Sequence, residues 1–317
     1  RLPQDGRMKI KTSSRDIDVR VSILPTVHGE KVVLRLLGSG KLSLNLSNLG
    51  FEEKKLTTFK KWINQPYGMI IISGPTGSGK STTLYAALQE IHSEGINITT
   101  VEDPVEYQLP GINQVQMHDE IGLNFAASLR SILRQDPDVL LIGEIRDEET
   151  ANIAVKFSMT GHLVFSTVHA NDATSTIARL LDLGIPPFLL GSSLNLVMAQ
   201  RLVRTIDKDN KENYTPTKDE LDLISFPKDK QKSTKFFRGT PSRDNHNTGY
   251  KGRTAIHEIL EVDNPMKKLI FDGANQNEIK KEAIKNGMTP LRDAGISKII
   301  SGDTTIDEVL RATVEDI

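Results

Sequence analysis

No cysteine occurs among the 317 residues. Disulfides and thiolate metal sites are therefore excluded. Neither sign of charge prevails, since 40 Lys and Arg oppose 41 Asp and Glu for a formal net charge of −1. Overall charge thus predicts neither nucleic-acid nor membrane binding. Apolar runs are short, and none approaches the roughly 20 residues that span a bilayer. The opening residues, Arg1 to Arg7, are polar and form no signal-peptide pattern. So abrupt a start is expected of a piece of a longer protein. Together these absences point to a cytoplasmic protein. What remains is an ordinary globular composition, in a chain long enough for two or more domains.

One stretch organises the rest, YGMIIISGPTGSGKST at residues 67–82. An apolar strand-like run, Met69 to Ile72, leads into Gly74-Pro75-Thr76-Gly77-Ser78-Gly79-Lys80-Ser81, and a helix-forming run starts at Thr82. The eight residues fit G-x-x-x-x-G-K-[ST], the phosphate-binding P-loop. Glycines allow positive φ, so successive N–H groups can turn inward towards an anion. The loop feeds a helix N-terminus, where unpaired N–H groups and the dipole favour phosphate. Lys80 is expected along the β- and γ-phosphates, with the Ser81 hydroxyl on Mg²⁺.

Upstream, residues 1–37 read as strands. Ile17–Ile23 alternates apolar and polar residues, Lys31–Leu37 is rich in β-formers, and Pro25–Glu30 supplies a turn. This segment is too small for a core of its own. Residues 38–48 are a Gly, Ser and Asn-rich linker, and Phe51–Ile63 an amphipathic helix. Strand and helix then alternate through residue 204. Strands are expected at 97–101, 138–144 and 162–169, and helices at 124–135, 147–160, 174–183 and 188–203. Such alternation predicts a parallel sheet covered by helices on both faces, with ligands at the carboxyl ends of the strands. Gly74, Glu102, Glu144 and His169 all fall at such ends. Residues 205–249 lose periodicity and read as a surface insertion or small irregular subdomain. After the run GYKGRTAIHEIL, short helices are expected at about 264–272, 275–286, 289–301 and 304–314, with Gly273, Gly287 and Gly302 at their ends.

Several residue types at these ends suit phosphoryl chemistry. Glu144 follows the apolar strand Val139–Ile142, where a carboxylate can hold Mg²⁺ through water or polarise an attacking water. The cluster Glu102, Asp103 and Glu106 follows another strand and is expected to face the phosphates. His169 is a candidate contact for the γ-phosphate. His162 lies seven residues earlier, and the odd spacing puts the two on opposite faces of a regular strand. Arg130 and Arg134 share a helix face, while Arg20 and Arg35 lie on the first strands. A guanidinium can stabilise a transferring phosphoryl group from a neighbouring subunit.

Taken together, the motifs resemble the secretion ATPases of type II secretion and type IV pilus assembly, of the GspE/PilB type. The opening RLPQDGRMKI and IDVRVSILPTVHGEKVVLRLL resemble the end of that family's second N-terminal domain. GPTGSGKST resembles its Walker A motif, TTVEDPVEY its Asp box, SLRSILRQDPDVLLIGEIRD its Walker B with Glu for the usual Asp, and TGHLVFSTVHAND its His box. The resemblance implies a RecA-like P-loop ATPase core with a partial N-terminal α+β (PAS-like) domain and a C-terminal helical subdomain. Under it, residues 1–37 end the second N-terminal domain, 38–48 link, 49–204 form the core, 205–249 replace the family's metal-binding subdomain and 250–317 form the helical subdomain. It further implies an ATP-driven motor, usually a hexameric ring, acting on an inner-membrane platform protein with a cytoplasmic linker protein and lying at the inner membrane through those partners. Gly74, Pro75, Thr76, Gly77, Ser78, Gly79, Lys80, Ser81 and Thr82 would bind ATP, with Mg at Ser81. Glu144, Glu102, Glu106 and His169 would be catalytic, His162 a sensor, and Arg20, Arg35, Arg130 and Arg134 the bridges between domains or subunits.

The chain departs from the pattern in one place. The family's insertion carries two C-x-x-C pairs that bind zinc, and those positions here are Asp207 and Asn210, then Ser242 and Asn245. Neither pair suits Zn²⁺, which favours thiolate and imidazole, so no zinc is expected and the insertion must fold by other contacts or be loose. Retraction motors and type IV secretion ATPases of the same superfamily are an alternative reading. They share the core but lack the RLPQDGR form and the insertion before GYKGRT. A nucleotide-binding regulatory subunit is a third reading, against which Lys80, Ser81 and Glu144 speak. Near-zero net charge weighs against a nucleic-acid translocase, and no nucleic-acid partner is expected.

Overall fold

The computed structural model describes residues 2–11, 16–37 and 44–313. They form two units, Arg1–Leu44 and Asn45–Ile317. The first is an antiparallel sheet of β1 (Gln4–Lys11), β2 (Asp16–Thr26) and β3 (Gly29–Leu37), with β2 central. The expected hairpin is present, with Val27 and His28 at its tip. Val32, Val33, Leu34 and Leu36 remain exposed, as expected of a segment without its own core. Of the linker expected at 38–48, residues 38–43 lie outside the described residues. The last part is a 3-10 turn, Leu46–Asn48, capped by the Asn45 side chain.

The second unit runs α1 (Glu53–Ile63), β4 (Gly68–Ser73), α2 (Lys80–Ile91), β5 (Ile98–Glu102), β6 (Asn113–Gln116), α3 (Phe125–Ile132), β7 (Val139–Ile142), α4 (Glu148–Met159), β8 (Leu163–Val168), α5 (Ala173–Asp182), α6 (Pro187–Ser193) and β9 (Leu194–Ile206). There follow β10 (Lys211–Tyr214), α7 (Lys218–Leu223), β11 (Phe236–Gly239), β12 (Tyr250–Glu261), α8 (Asn264–Phe271), α9 (Gln276–Lys285), α10 (Leu291–Ile300) and α11 (Ile306–Ala312). Seven strands make one sheet in the order β12-β9-β4-β8-β7-β5-β6. All neighbours run parallel except β12, which is antiparallel to β9. Every residue of β4, β5, β7 and β8 is buried, which is why these strands are apolar runs rather than alternating ones.

Two expectations are corrected here. The helix expected over 188–203 stops at Ser193, and Leu194 onward is β9, inserted between β4 and β12. LNLVMAQ is buried without a break, and a continuous apolar run does not separate strand from buried helix by periodicity. The segment from 250, expected as a helical subdomain, opens with β12, an edge strand of the same sheet. Its four helices fall close to the expected positions. Glu258 of β12 ties them to the core, since its carboxylate accepts from Ala173 N–H at the start of α5 (2.7 Å) and from Leu291 N–H at the start of α10 (3.0 Å).

The insertion folds by other contacts. Strands β10 and β11 pair, and Ile224, Phe226 and Phe236 pack on Ile296, Ile299, Ile306 and Val309 of α10 and α11. The four positions expected in place of the two C-x-x-C pairs, Asp207, Asn210, Ser242 and Asn245, are joined by hydrogen bonds. The Asp207 carboxylate accepts from the amides of Asn210 (2.8 Å) and Asn245 (3.0 Å). Asn245 also accepts from the N–H groups of Ser242 (2.8 Å) and Gly249 (3.1 Å) and donates to Thr240 C=O (3.0 Å). The Asn210 and Asn245 amides hold the Asp207 carboxyl below its usual range. Hydrogen bonds thus close the base of the insertion.

Asn245 is 1% exposed, so Asn245→Ala strands the buried Gly249 N–H and the half-buried Ser242 N–H. The variant is expected to lose about 3 kcal/mol of stability in urea titrations; an unchanged midpoint would show the cluster to be dispensable. A second expectation concerns His257, stacked on Phe51 with ring centroids 3.8 Å apart. Burial, aided by Lys55 and Lys298, pushes its pKa well below 6.5. Below about pH 6.5 the unfolded chain takes up a proton that the folded one refuses, so stability falls with pH by about 1.4 kcal/mol per unit from this group. In His257→Phe the slope between pH 6 and 5 should be shallower by that amount; equal slopes would exclude His257 as its source.

Candidate nucleotide-binding site

The P-loop leaves the sheet at Ser73 and enters α2 at Lys80. Two of its glycines are required by space as well as by φ. A Cβ on Gly74 (φ +147°) would lie 2.5 Å from the Gln200 carbonyl oxygen, and one on Gly79 (φ +88°) would lie 2.9 Å from Gln200 Nε2. No side chain caps α2, so its first N–H groups are left for an anion, with the helix dipole behind them. Lys80 Nζ donates to the carbonyls of Gly74 (2.8 Å) and Pro75 (3.0 Å) and so lies across the loop. Burial pushes the Lys80 pKa down, opposed by the charge of Glu144. The Ser81 side chain is exposed on the first turn.

Glu144 lies two residues past the end of β7. One carboxylate oxygen pairs with Arg146. The other is 3.5 Å from His169 Nε2 and accepts no hydrogen bond from the described residues. That buried oxygen is where a water could be held and deprotonated. Glu102, at the end of β5, is placed differently. Its oxygens accept from the Tyr85 hydroxyl, from Thr100 Oγ1 (2.5 Å) and from Gln114 Nε2 (3.3 Å). The Tyr85 hydroxyl also accepts from Glu106 N–H (3.3 Å), so α2 is tied to the acidic loop. Burial and then Glu102 push the Tyr85 phenol pKa far up. The Glu106 side chain is exposed.

This is a phosphate loop whose sheet carries an acid two residues past the end of β7, and sequence comparison agrees. The profile of the family described as Type II/IV secretion system protein matches residues 1–311. The chain belongs to that family. It is 51% identical to the type IV pilus assembly ATPase PilB of Myxococcus xanthus, over all of this chain and 56% of that protein. It is 47% identical to the type II secretion system ATPase E of Vibrio cholerae, over 99% of this chain and 62% of that protein. The chain therefore spans little more than half the length of these curated relatives. Among solved structures, the pilus retraction motor PilT with bound ADP superposes with a TM-score of 0.70 at 24% identity, covering 97% of this chain and 77% of that one. The DotB ATPase of Legionella pneumophila gives 0.72 at 19% identity, covering 99% and 78%. These likenesses establish the shared fold, the RecA-like P-loop core expected from the sequence.

His162 does not reach the loop. His162 precedes β8 and stacks on Phe157 (4.1 Å), while His169 follows it, so a strand of about 20 Å separates the two. The structure thus sets His162 at the amino end of the sheet, away from the P-loop. Arg130 pairs with Glu149, and Arg134 donates to Arg130 C=O (2.8 Å). Arg20 and Arg35 face each other in register across β2 and β3, within the other unit. Sequence reasoning missed Arg146, Tyr85, Gln200 and Arg201. Arg146 stood in the motif, two residues past Glu144. Gln200 and Arg201 were concealed by the helical reading of 188–203.

Tyr85→Phe removes the phenol shared by Glu102 and the Glu106 N–H. The variant is expected to lose about 2 kcal/mol of stability in urea titrations, since a buried carboxylate loses a donor; wild-type stability would show that Glu102 is held without it.

Proposed function

We propose that the chain is the ATP-hydrolysing part of a motor that powers assembly of a pilus or pseudopilus in a type IV pilus or type II secretion machine. The observation that carries this is the uncapped N-terminus of α2 after the P-loop, with the open carboxylate oxygen of Glu144 near a strand end of the same sheet. The residues fit a nucleotide with Mg²⁺: the loop's N–H groups and Lys80 would hold the phosphates, and the Ser81 hydroxyl the metal. When bound, Mg–ATP supplies the γ-phosphoryl group. The chain's part is electrostatic and positional. Loop amides and Lys80 neutralise phosphate charge, and Glu144 orients a water and takes its proton. His169, beside Glu144, is the candidate for reporting on the γ-phosphate, and Glu106 for supporting the water or metal from the acidic loop. Glu102 belongs to the same set; its present bonds to Tyr85, Thr100 and Gln114 must loosen before it acts.

Arg130 pairs with Glu149 and Arg134 with the Arg130 carbonyl, Arg20 and Arg35 belong to the other unit, and we assign the four to bridging domains or subunits in a ring, hexameric in the whole protein. The platform and linker proteins at the inner membrane, and the absence of nucleic acid, complete the reading. Among the described residues no helix is long and apolar enough to cross a membrane. The extents 1–37, 49–204, 205–249 and 250–317 are the proposed domains, the last joining the core sheet through β12. We propose no zinc at Asp207, Asn210, Ser242 and Asn245, because the set offers no thiolate or imidazole.

The test is hydrolysis rate against protein concentration, for the wild type and Glu144→Gln. The expected result is a rate per subunit that rises with concentration and falls by about a hundredfold or more in the variant, with Mg–ATP binding retained. A low, concentration-independent rate that the substitution leaves alone would overturn the Glu144 assignment.

A further inference from the structure

We infer that Gln200 is a positioning residue of the phosphate site: its side-chain amide sets the Ser78–Gly79 peptide so that the Gly79 N–H faces a bound phosphate. The inference rests on the nucleotide reading above and assigns a role to a side chain outside the P-loop motif. Ser73, the last residue of β4, pairs with Ala199 of β9. Gln200 is the next residue along β9, beyond the end of β4, where the P-loop has turned away. Its side chain is free of the sheet ladder and lies against the loop.

The contacts of that side chain are directional. Nε2 donates to the Ser78 carbonyl oxygen (2.8 Å). Oε1 accepts from the Thr83 hydroxyl (2.9 Å) one turn into α2. A flipped amide would set Oε1 against the Ser78 carbonyl oxygen, so the bond to Ser78 fixes its orientation; the Thr83 hydroxyl, which also lies 3.3 Å from the Gly79 carbonyl oxygen, suits either one. In a trans peptide the C=O and the following N–H point to opposite sides. Drawing the Ser78 carbonyl towards β9 therefore turns the Gly79 N–H away from β9, into the space enclosed by the loop. Gly79 is the residue before α2, so this N–H joins the uncapped donors of the helix. Gln200 is 1% exposed, and hydrogen bonds of a buried amide resist competition from water. Its own carbonyl oxygen packs on Gly74, so the same residue braces the loop at both ends.

Such an arrangement lowers the cost of organising the loop when phosphate arrives, so it should be read in affinity. The experiment compares the wild-type chain with Gln200→Met, which keeps length but neither bond, and with Gln200→Ala should the first not fold. A third variant, Thr83→Val, removes the partner of Oε1 and leaves the bond to Ser78. Mg–ADP binding is measured by calorimetry, ATP turnover in parallel, and melting without nucleotide for all. Loss of one neutral hydrogen bond predicts that the Kd for Mg–ADP and the KM for ATP rise together about fivefold in the Gln200 variants. Their kcat should stay within about twofold, because the loop holds substrate and transition state alike. Thr83→Val should melt lower but keep the wild-type Kd within about twofold. A wild-type Kd in the Gln200 variants, or an equal loss in Thr83→Val, would overturn the inference. No Mg–ADP binding by the wild-type chain would instead overturn the nucleotide reading on which it rests.

Discussion

The nucleotide end of the molecule depends on a steric constraint: the backbone of Gly74 lies directly against the backbone of β9. Because Gly74 has no side chain, β9 can run past the end of β4 and form a wall beside the loop. That wall carries Gln200, with its bonds to Ser78 and Thr83, and then Leu202 beside Gly79. Between them Arg201, 7% exposed, donates to the Asn171 carbonyl (2.9 Å) in the turn after β8. One short stretch of strand therefore braces the P-loop on one side and the segment following His169 on the other. A methyl group at Gly74 would clash with the Gln200 carbonyl oxygen and push the loop off the wall.

The same sheet explains why residues from the last quarter of the chain bear on the core. Antiparallel β12 closes the edge beside β9, and the buried Glu258 carboxylate caps both α5 and α10. The C-terminal helices are thus held to the core by a shared strand and by charge-assisted bonds to helix N-termini. The insertion leans in turn on α10 and α11 through Phe226 and Phe236. At its base, the Asn210 and Asn245 amides meet the Asp207 carboxylate. The Asp207 carboxylate and the Asn245 amide at its centre are buried, which strengthens their hydrogen bonds.

The acids at the strand ends are not equivalent. Glu102 is saturated by a phenol, a hydroxyl and an amide, and its loop is tied through Tyr85 to the helix that follows the P-loop. Glu144 keeps an oxygen without a donor among the described residues, beside His169. Two glutamates at the carboxyl ends of neighbouring strands, one the last residue of β5 and one two residues past β7, thus differ in chemical availability because different neighbours surround them.

Much of this was legible in the chain alone. The P-loop, the parallel α/β class, the acids at the ends of β5 and β7 and the position of His169 followed from local order, because glycines, apolar runs and strand-end polar groups have local causes. The four C-terminal helices and the positive-φ glycines that end them were legible for the same reason. Tertiary structure alone decided that Leu194–Ile206 is a strand, because that required β4 and β12 on either side to satisfy its backbone. It decided that both oxygens of Glu102 accept hydrogen bonds while one of Glu144 accepts none among the described residues, and that the insertion coheres without thiols. It also decided that Gln200 reaches the Ser78 carbonyl, a contact across 122 residues of sequence. Short-range propensity wrote the elements and the phosphate loop; only packing between distant segments settled which polar groups are already partnered and which stay open to a ligand.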